Sequence, residues 1–306
     1  MPLRVESIPE GQTQQPSRRL FLLYHELRSS ESRYSYAIES GMFEQHLDLF
    51  VRLREAQNSD LEHFRNTRRL FEDHARWIFL RKIHWNAVAS VITNSENALW
   101  PELTFDDGHS SDVEIAAPLL QSRGLTARFF ITAGWTGTKA GYMGWPEVRS
   151  LHEAGFTIGA HGWSHKLLTH CSDAELQTEL GKSRLTLEDK LGASITTMSL
   201  PGGRYNRRVL AACAEAGYTQ VYTSIPRAES LPLGATVGRL NILRDMQPEW
   251  IAKLFQPDGR TLRRLGRRYR MKEATKALLG DRLYAGLWAL VSRKEPGTGG
   301  GGEGAE

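Results

Sequence analysis

The sequence predicts an α/β fold built on a parallel sheet or barrel, and three observations predict it. From Leu99 onward, apolar runs of strand length alternate with stretches of helical periodicity. The helical stretches carry start and stop signals, such as Pro146 in a first turn and Gly124 and Gly155 after helix ends. Finally, carboxylates, imidazoles and a glycine turn terminate the apolar runs, and functional residues gather at that end of parallel strands.

The elements follow in order. Residues 1–17 are polar, hold Pro, Gly and Gln, and predict a disordered N-terminus. "LFLLYHE" (Leu20 to Glu26) is an apolar run of strand length closing on His25. Residues 41–92 predict helix, with Phe43, Leu47 and Phe50 on one face and Phe64, Leu70 and Phe71 continuing the spacing. Overlapping this region, about 51–98 reads as a helical insertion whose residues suggest no function. "ALWPELTF" is a strand, "DVEIAAPLLQSRG" a helix, "TARFFITAG" a strand, "WPEVRSLHEAG" a helix and "FTIGAH" a strand. "SDAELQTELGKSRLTLEDKLG" predicts one long helix, opened by the Ser-x-x-Glu capping box of Ser172 and Glu175. "ITTMSL", "YTQVYTSI" and "VGRLNIL" are strands, with "NRRVLAACAEAG" a helix after the first. A barrel domain over 18–245 is expected, then a helical basic extension over 246–295 and a Gly-rich flexible tail over 296–306.

Composition narrows the class. With 306 residues, 40% of them hydrophobic, and a net charge of +4, the chain suits a globular protein. No window approaches the roughly 20 apolar residues of a membrane span. The N-terminus lacks the apolar core of a secretory signal, so a cytoplasmic location is expected, with peripheral contact at the inner membrane face. Cys171 and Cys213 stand in no metal-like spacing and predict reduced packing residues. The basic run "RRLGRRYRMK" (Arg263 to Lys272) contains no acid. No nucleic-acid reader motif accompanies it, so nucleic acid is not an expected partner. Tyr284, Leu287, Trp288 and Leu290 beside it suggest contact of 260–295 with an anionic membrane surface.

The chemistry begins at "ELTFDDGHSSD", where Asp106 and Asp107 end a strand. Adjacent carboxylates repel and are costly to bury, which a cation would offset. "HGWSH" is the sole His-x-x-x-His in the chain, and at this spacing His161 and His165 can share one face of a helical turn. Two nitrogens and one carboxylate oxygen leave a coordination position open, the donor set of a catalytic zinc; cobalt, nickel and manganese remain open. The second carboxylate would then accept a proton from water acidified by the cation.

Taken in order, "LTFDDG", "IGAHGWSH" and "SLPGGRYN" resemble the motifs of the polysaccharide deacetylase (NodB-homology) family, and the likeness runs from about Leu99 to Thr223. The resemblance implies a distorted (β/α) barrel and removal of acetyl groups from N-acetylhexosamine units of a glycan. It makes Asp106 the catalytic base and Asp107, His161 and His165 the metal ligands. It also places Gly202 at the oxyanion. Near the strand ends, Tyr205 and Trp163 are candidates for stacking on a sugar, and Arg204 lies nearby in sequence as a further substrate-binding candidate. Trp135 and Trp145 are further candidates for stacking on a sugar.

Three positions depart from the pattern. Ser199 stands where the family often has an arginine that orients the base, and Gly162 where Ser or Thr is usual. The last strand, "RLNILRD", lacks the His-Asp ending that carries the general acid, whereas "LFLLYHE" is an apolar strand closing on a histidine and an acid. This resembles the circularly permuted exopolysaccharide branch and makes His25 the acid. Ser199 and the altered last strand also motivate an alternative, a catalytically weak glycan-binding protein on the same fold. Asp245, after the last strand, either orients a site group or begins a loop.

Overall fold

The structure, a computed structural model, describes residues 18–30, 32–66, 99–256 and 258–275. The expectations for the N-terminus, the tail, most of the 51–98 insertion and the apolar residues of 276–295 lie outside these.

Strands β1 (Arg18–Tyr24), β2 (Glu26–Arg28) and β3 (Ala37–Glu39) lead into helix α1 (Ser40–Asn66). Then come β4 (Leu99–Phe105), a π turn (Asp112–Ala116) running into α2 (Ala117–Gln121), β5 (Ala127–Ile131), α3 (Trp145–Glu153) and β6 (Thr157–Ala160). The predicted long helix is α4 (Asp173–Leu176) and α5 (Ser183–Leu191) joined through a π stretch, Gln177–Lys182. Strand β7 (Thr197–Ser199), α6 (Arg207–Glu215), β8 (Gln220–Tyr222), β9 (Glu229–Ser230), β10 (Thr236–Val237) and β11 (Arg239–Asn241) complete the sheet. Helices α7 (Pro248–Ala252) and α8 (260–275) follow.

The main sheet has the order β10-β8-β7-β6-β5-β4-β1-β11, with β9 pairing β1. Its two terminal strands, β10 and β11, are separated in sequence only by Gly238, so the sheet curls into a nearly closed barrel. The N-terminal strand β1 is inserted between β4 and the last strand, parallel to both. That position is what a permuted strand requires.

Side chains alternate across the barrel wall with the period of two that strands impose. Leu20, Leu22, Tyr24, Leu103, Phe105, Phe129 and Ile131 belong to the large core under the helices, together with Phe43, Leu47 and Phe50 of α1. Phe21, Phe130, Tyr222 and Val237 form a separate cluster inside. On β4 the same alternation sends Thr104 inward, with Asp106 next in that phase. At roughly 25 cal/mol per Å² of apolar surface, the outer core supplies most of the stabilisation, and the inward row is free to carry chemistry. Cys171 and Cys213 are both free and buried. Asp245 lies exposed in a turn after the last strand, so it begins a loop.

Candidate active site

The parallel register sets the first juxtaposition. Tyr24 of β1 pairs with Phe105 of β4, and the Asp106 amide donates to the Tyr24 carbonyl at 3.0 Å. His25 and Asp106, the next residues of each strand, therefore emerge side by side. One strand further on, the His161 amide donates to the Ile131 carbonyl at 2.8 Å, and the Thr132 amide donates to the Asp107 carbonyl at 3.2 Å. The loops after β4, β5 and β6 are thus laced together at the backbone.

The three expected ligands meet. Asp107 Oδ1 lies 3.3 Å from His161 Nε2 and 3.3 Å from His165 Nε2, and one donor atom from each residue falls within 4.8 Å of the others. Asp107 Oδ1 is buried and has no hydrogen-bond partner among the described residues. His161 Nδ1 donates to the Ser199 carbonyl at 2.9 Å, which leaves Nε2 to face the carboxylate as an electron-pair donor. An orphaned carboxylate oxygen and an oriented imidazole lone pair fit a divalent cation well. His165 remains about a third exposed, so the cluster opens to solvent on one side.

The two histidines do not share a helical turn, as their spacing suggests. Residues 161–165 form a loop, and His165 adopts φ 62°, a left-handed conformation uncommon outside glycine. That turn, rather than helical periodicity, brings the second imidazole back. Asp107 also has positive φ, 79°. Strain of this kind persists only where the surroundings fix it, and it concentrates at functional sites.

The surroundings here are Glu179 and Ser183. Glu179, buried on the π stretch, accepts the Trp163 and Ser164 amides, each at 2.9 Å, and the Ser164 hydroxyl. Ser183 donates to the Gly162 carbonyl at 2.9 Å. Gly162 has φ 78°, and a Cβ there would come 3.0 Å from Glu179 Oε2. The residue that departs from the family's Ser or Thr is therefore the one this loop accommodates without strain. Its missing hydroxyl is replaced by a carboxylate clamp from the neighbouring helix.

Asp106 is held by a residue that sequence reasoning missed. Arg239, fully buried at the start of β11, donates from Nη1 to Asp106 Oδ1 at 2.7 Å and from Nη2 to Oδ2 at 2.8 Å. Its Nη2 also reaches the Ser199 hydroxyl at 2.7 Å, and that hydroxyl donates to Asp106 Oδ2 at 2.8 Å. Ser199 thus stands in the arginine's sequence position, while the guanidinium arrives from the last strand. The signal was present in "GRLNIL": an arginine in the inward phase of a buried strand needs a carboxylate.

The electrostatics follow from this packing. Burial alone would raise Asp106, but Arg239, His161 and His25 outweigh it and hold the carboxyl below its ordinary range. Asp107 is likewise pulled well down, against its burial, by His161, His25 and His165. His161 is raised because Asp106 and Asp107 overcome its desolvation. Burial brings His165 down to about 4, helped by the charge on His161. Burial also lowers His25, opposed by Asp107 and Asp106, so it belongs to the same electrostatic unit. Its Nδ1 is buried without a partner, and its ring lies 4.8 Å from that of Tyr36.

The remaining candidates flank this centre. A Cβ on Gly202, whose φ is 64°, would approach Leu167 to 2.7 Å, so the Pro201–Gly203 turn packs on the histidine loop. Arg204 and Tyr205 follow directly. Trp135 lies 5.2 Å from the His165 ring and 4.7 Å from Tyr142, forming an aromatic bank beside the cluster. Trp163 is half-buried with the Lys182 ammonium over its ring at 3.7 Å. Trp145 packs against the core from the first turn of α3.

Residues 98–221 match the family model described as polysaccharide deacetylase. Over these residues the chain is similar to that family. The chain is 25% identical over 174 residues to YxkH of Bacillus subtilis (strain 168), a match covering 54% of this chain and 60% of that one. It is 31% identical over 120 residues to chitin deacetylase 1 of Cryptococcus neoformans var. grubii, covering 39% and 24%. The chain therefore spans less than two thirds of either relative. In fold, it is similar to the Streptococcus pyogenes deacetylase PplD, with a TM-score of 0.59 and 19% identity over 79% of this chain and all of that one.

Proposed function

We propose that the protein is a metal-dependent hydrolase that removes N-acetyl groups from a glycan of N-acetylhexosamine units, releasing acetate and a free amine. The observation that carries this reading is Asp107, His161 and His165 converging beside a base that Arg239 holds ionised. The relatives matched by sequence include chitin deacetylase 1 and a peptidoglycan-N-acetylglucosamine deacetylase of Listeria monocytogenes, which supports a substrate of this class.

Asp107, His161 and His165 would hold a divalent cation, most suitably zinc given two nitrogens and one oxygen. When bound, that ion supplies Lewis acidity toward the acetamide carbonyl and acidifies water. The chain's own residues supply the rest. Asp106, with its carboxylate fixed by Arg239 and Ser199, accepts the proton of the attacking water as a C–O bond forms. The backbone at Gly202 offers a donor to the developing oxyanion, an interaction typically worth about 3 kcal/mol. His25, on the adjacent strand end, gives a proton to the nitrogen as the C–N bond breaks. An amine anion is a very poor leaving group, and an imidazole lowered by burial is the stronger acid once protonated.

The alternative of a weakly catalytic binding protein rested on Ser199 in the arginine's position and on the altered last strand, whose missing histidine is matched by His25 on the strand beside it. Arg239 fills the arginine's role from another strand, so these observations no longer favour it. The test is acetate release from an N-acetylglucosamine oligomer by metal-loaded protein, alongside Asp106→Asn and His25→Ala. Activity lost in both variants supports the full assignment. Loss only in Asp106→Asn removes His25 as the acid, and no release by metal-bound wild type from neutral and acidic N-acetylated glycans alike rejects the hydrolase.

A further inference from the structure

Helix α8 carries a charge pattern that neither the barrel nor the chemistry requires. From Arg260 to Lys272 it holds six arginines and a lysine, and its first acid is Glu273. The apolar residues face the body of the protein: Leu262 is buried, Leu265 packs against the core, and a Cβ on Gly266 would lie 3.3 Å from the Pro226 carbonyl. All six arginines and Lys272 are left exposed along the opposite face. Arg260 pairs with Asp258 at 3.3 Å, outside the helix. Packing so many like charges on one face raises self-repulsion, which an anionic partner relieves.

The position of this face gives it meaning. Tyr269, half-buried on the same helix, lies within electrostatic reach of Arg204 and Tyr205. Those two residues follow the Pro201–Gly203 turn, which packs on the loop carrying His161 and His165. The helix that carries the basic face therefore adjoins the turn beside the candidate active site. A membrane surface would be met by an apolar stripe beside the charges. On α8, Met271 is the sole large hydrophobic side chain exposed among the described residues. The helix's place beside that turn favours a chain leading into the site, with an anionic membrane as an outcome of the test.

We propose that the exposed arginine face of α8 is a binding track for phosphate or carboxylate groups of the glycan whose N-acetyl group enters the site. The substrate is then an acidic rather than a neutral N-acetylated polymer. This rests on the deacetylase reading, and the experiment separates the two by measuring binding and acetate release independently.

The metal-loaded full chain is compared with Arg263→Gln/Arg264→Gln/Arg267→Gln/Arg268→Gln, a variant confined to exposed positions and checked by thermal melting. Five probes are used: a neutral N-acetylglucosamine oligomer, a hyaluronan oligosaccharide carrying carboxylates, a glycerol phosphate polymer bearing N-acetylglucosamine, phosphatidylglycerol vesicles and duplex DNA. Wild type is expected to bind at least one acidic probe about tenfold more tightly than the neutral oligomer at 50 mM salt, and to lose that preference at high salt. The variant is expected to lose about tenfold in affinity for that probe, with neutral binding unchanged. The acidic probe affected identifies carboxylate or phosphate as the anion. Equal losses on acidic and neutral probes overturn the proposal. So does a loss seen only with phosphatidylglycerol vesicles or duplex DNA. Should the acidic preference hold while no probe releases acetate, the track stands and the hydrolase reading falls. A melting temperature well below wild type shifts the decision to the salt dependence of wild type: a preference insensitive to salt overturns the track.

Discussion

Arg239 fixes both the geometry and the charge of Asp106, and its removal separates those effects. Arg239→Lys keeps the positive charge but loses the two-pronged match to the carboxylate. We expect kcat/KM to fall on the order of a hundredfold, with a modest change in melting temperature, read by acetate release and calorimetry. Arg239→Ala leaves a buried carboxylate unpaired, which typically costs about 3–5 kcal/mol. In whatever fraction folds, Asp106 loses the guanidinium that outweighs its burial, so its pKa rises. Because the base acts ionised, the acid limb of the pH–rate profile should move to higher pH in both variants, more in Ala than in Lys. An unmoved limb would remove Arg239 from the positioning role. The same residue marks where the sequence was readable. Asp106, Asp107, His161, His165 and His25 sit at strand ends, where type and place declare themselves. Arg239 acts across the barrel, 133 positions away from Asp106. Strand periodicity tells which way it points but not which carboxylate it meets.

Among the elements, the π stretch Gln177–Lys182 contributes most to the site relative to its length. A π turn rotates the residues after it relative to an α-helix, and such bulges often accompany functional sites. Here Glu179 clamps the backbone between the two histidines. Helical periodicity predicted one uninterrupted helix over this segment because a π bulge leaves the apolar spacing nearly intact. The loop geometry at His161–His165 was hidden for a related reason: the i, i+4 spacing of a helix also arises from a left-handed turn. Glu179→Gln keeps the side chain's shape while removing the charge that receives three donors. Metal affinity is expected to fall about 10–100-fold, as for other residues that support ligands from behind. Isothermal titration would measure it, and Glu179→Asp should recover little because its shorter side chain cannot reach. If metal affinity stays within twofold of wild type, the clamp does not control the ligands.

At the scale of the molecule, the ligands come from loops after two different strands of a barrel that β1 completes between β4 and β11. A cation bound there ties those loops together only in the folded state, so binding and stability are linked. At a free metal concentration a hundred times its Kd, the gain is about 2.7 kcal/mol. That gain must depend on pH, and the sign follows from the imidazoles. His161 is raised above its ordinary value by Asp106 and Asp107 against burial, so at pH 6 it carries a proton that the metal must displace. His165, lowered to about 4 by burial, offers no such competition until far more acid conditions. Once the pH falls below the raised His161, one proton competes with one metal, and each further unit should weaken binding about tenfold, or about 1.4 kcal/mol. Melting curves with and without zinc would therefore show a large upward shift at pH 8 that shrinks steadily toward pH 5. His165→Ala should abolish the shift at every pH while leaving the metal-free melting temperature close to wild type, since that ring is about a third exposed. A zinc-induced shift that is flat between pH 8 and pH 5 would mean that His161 is not displaced by the ion, and the ligand assignment would fail with it.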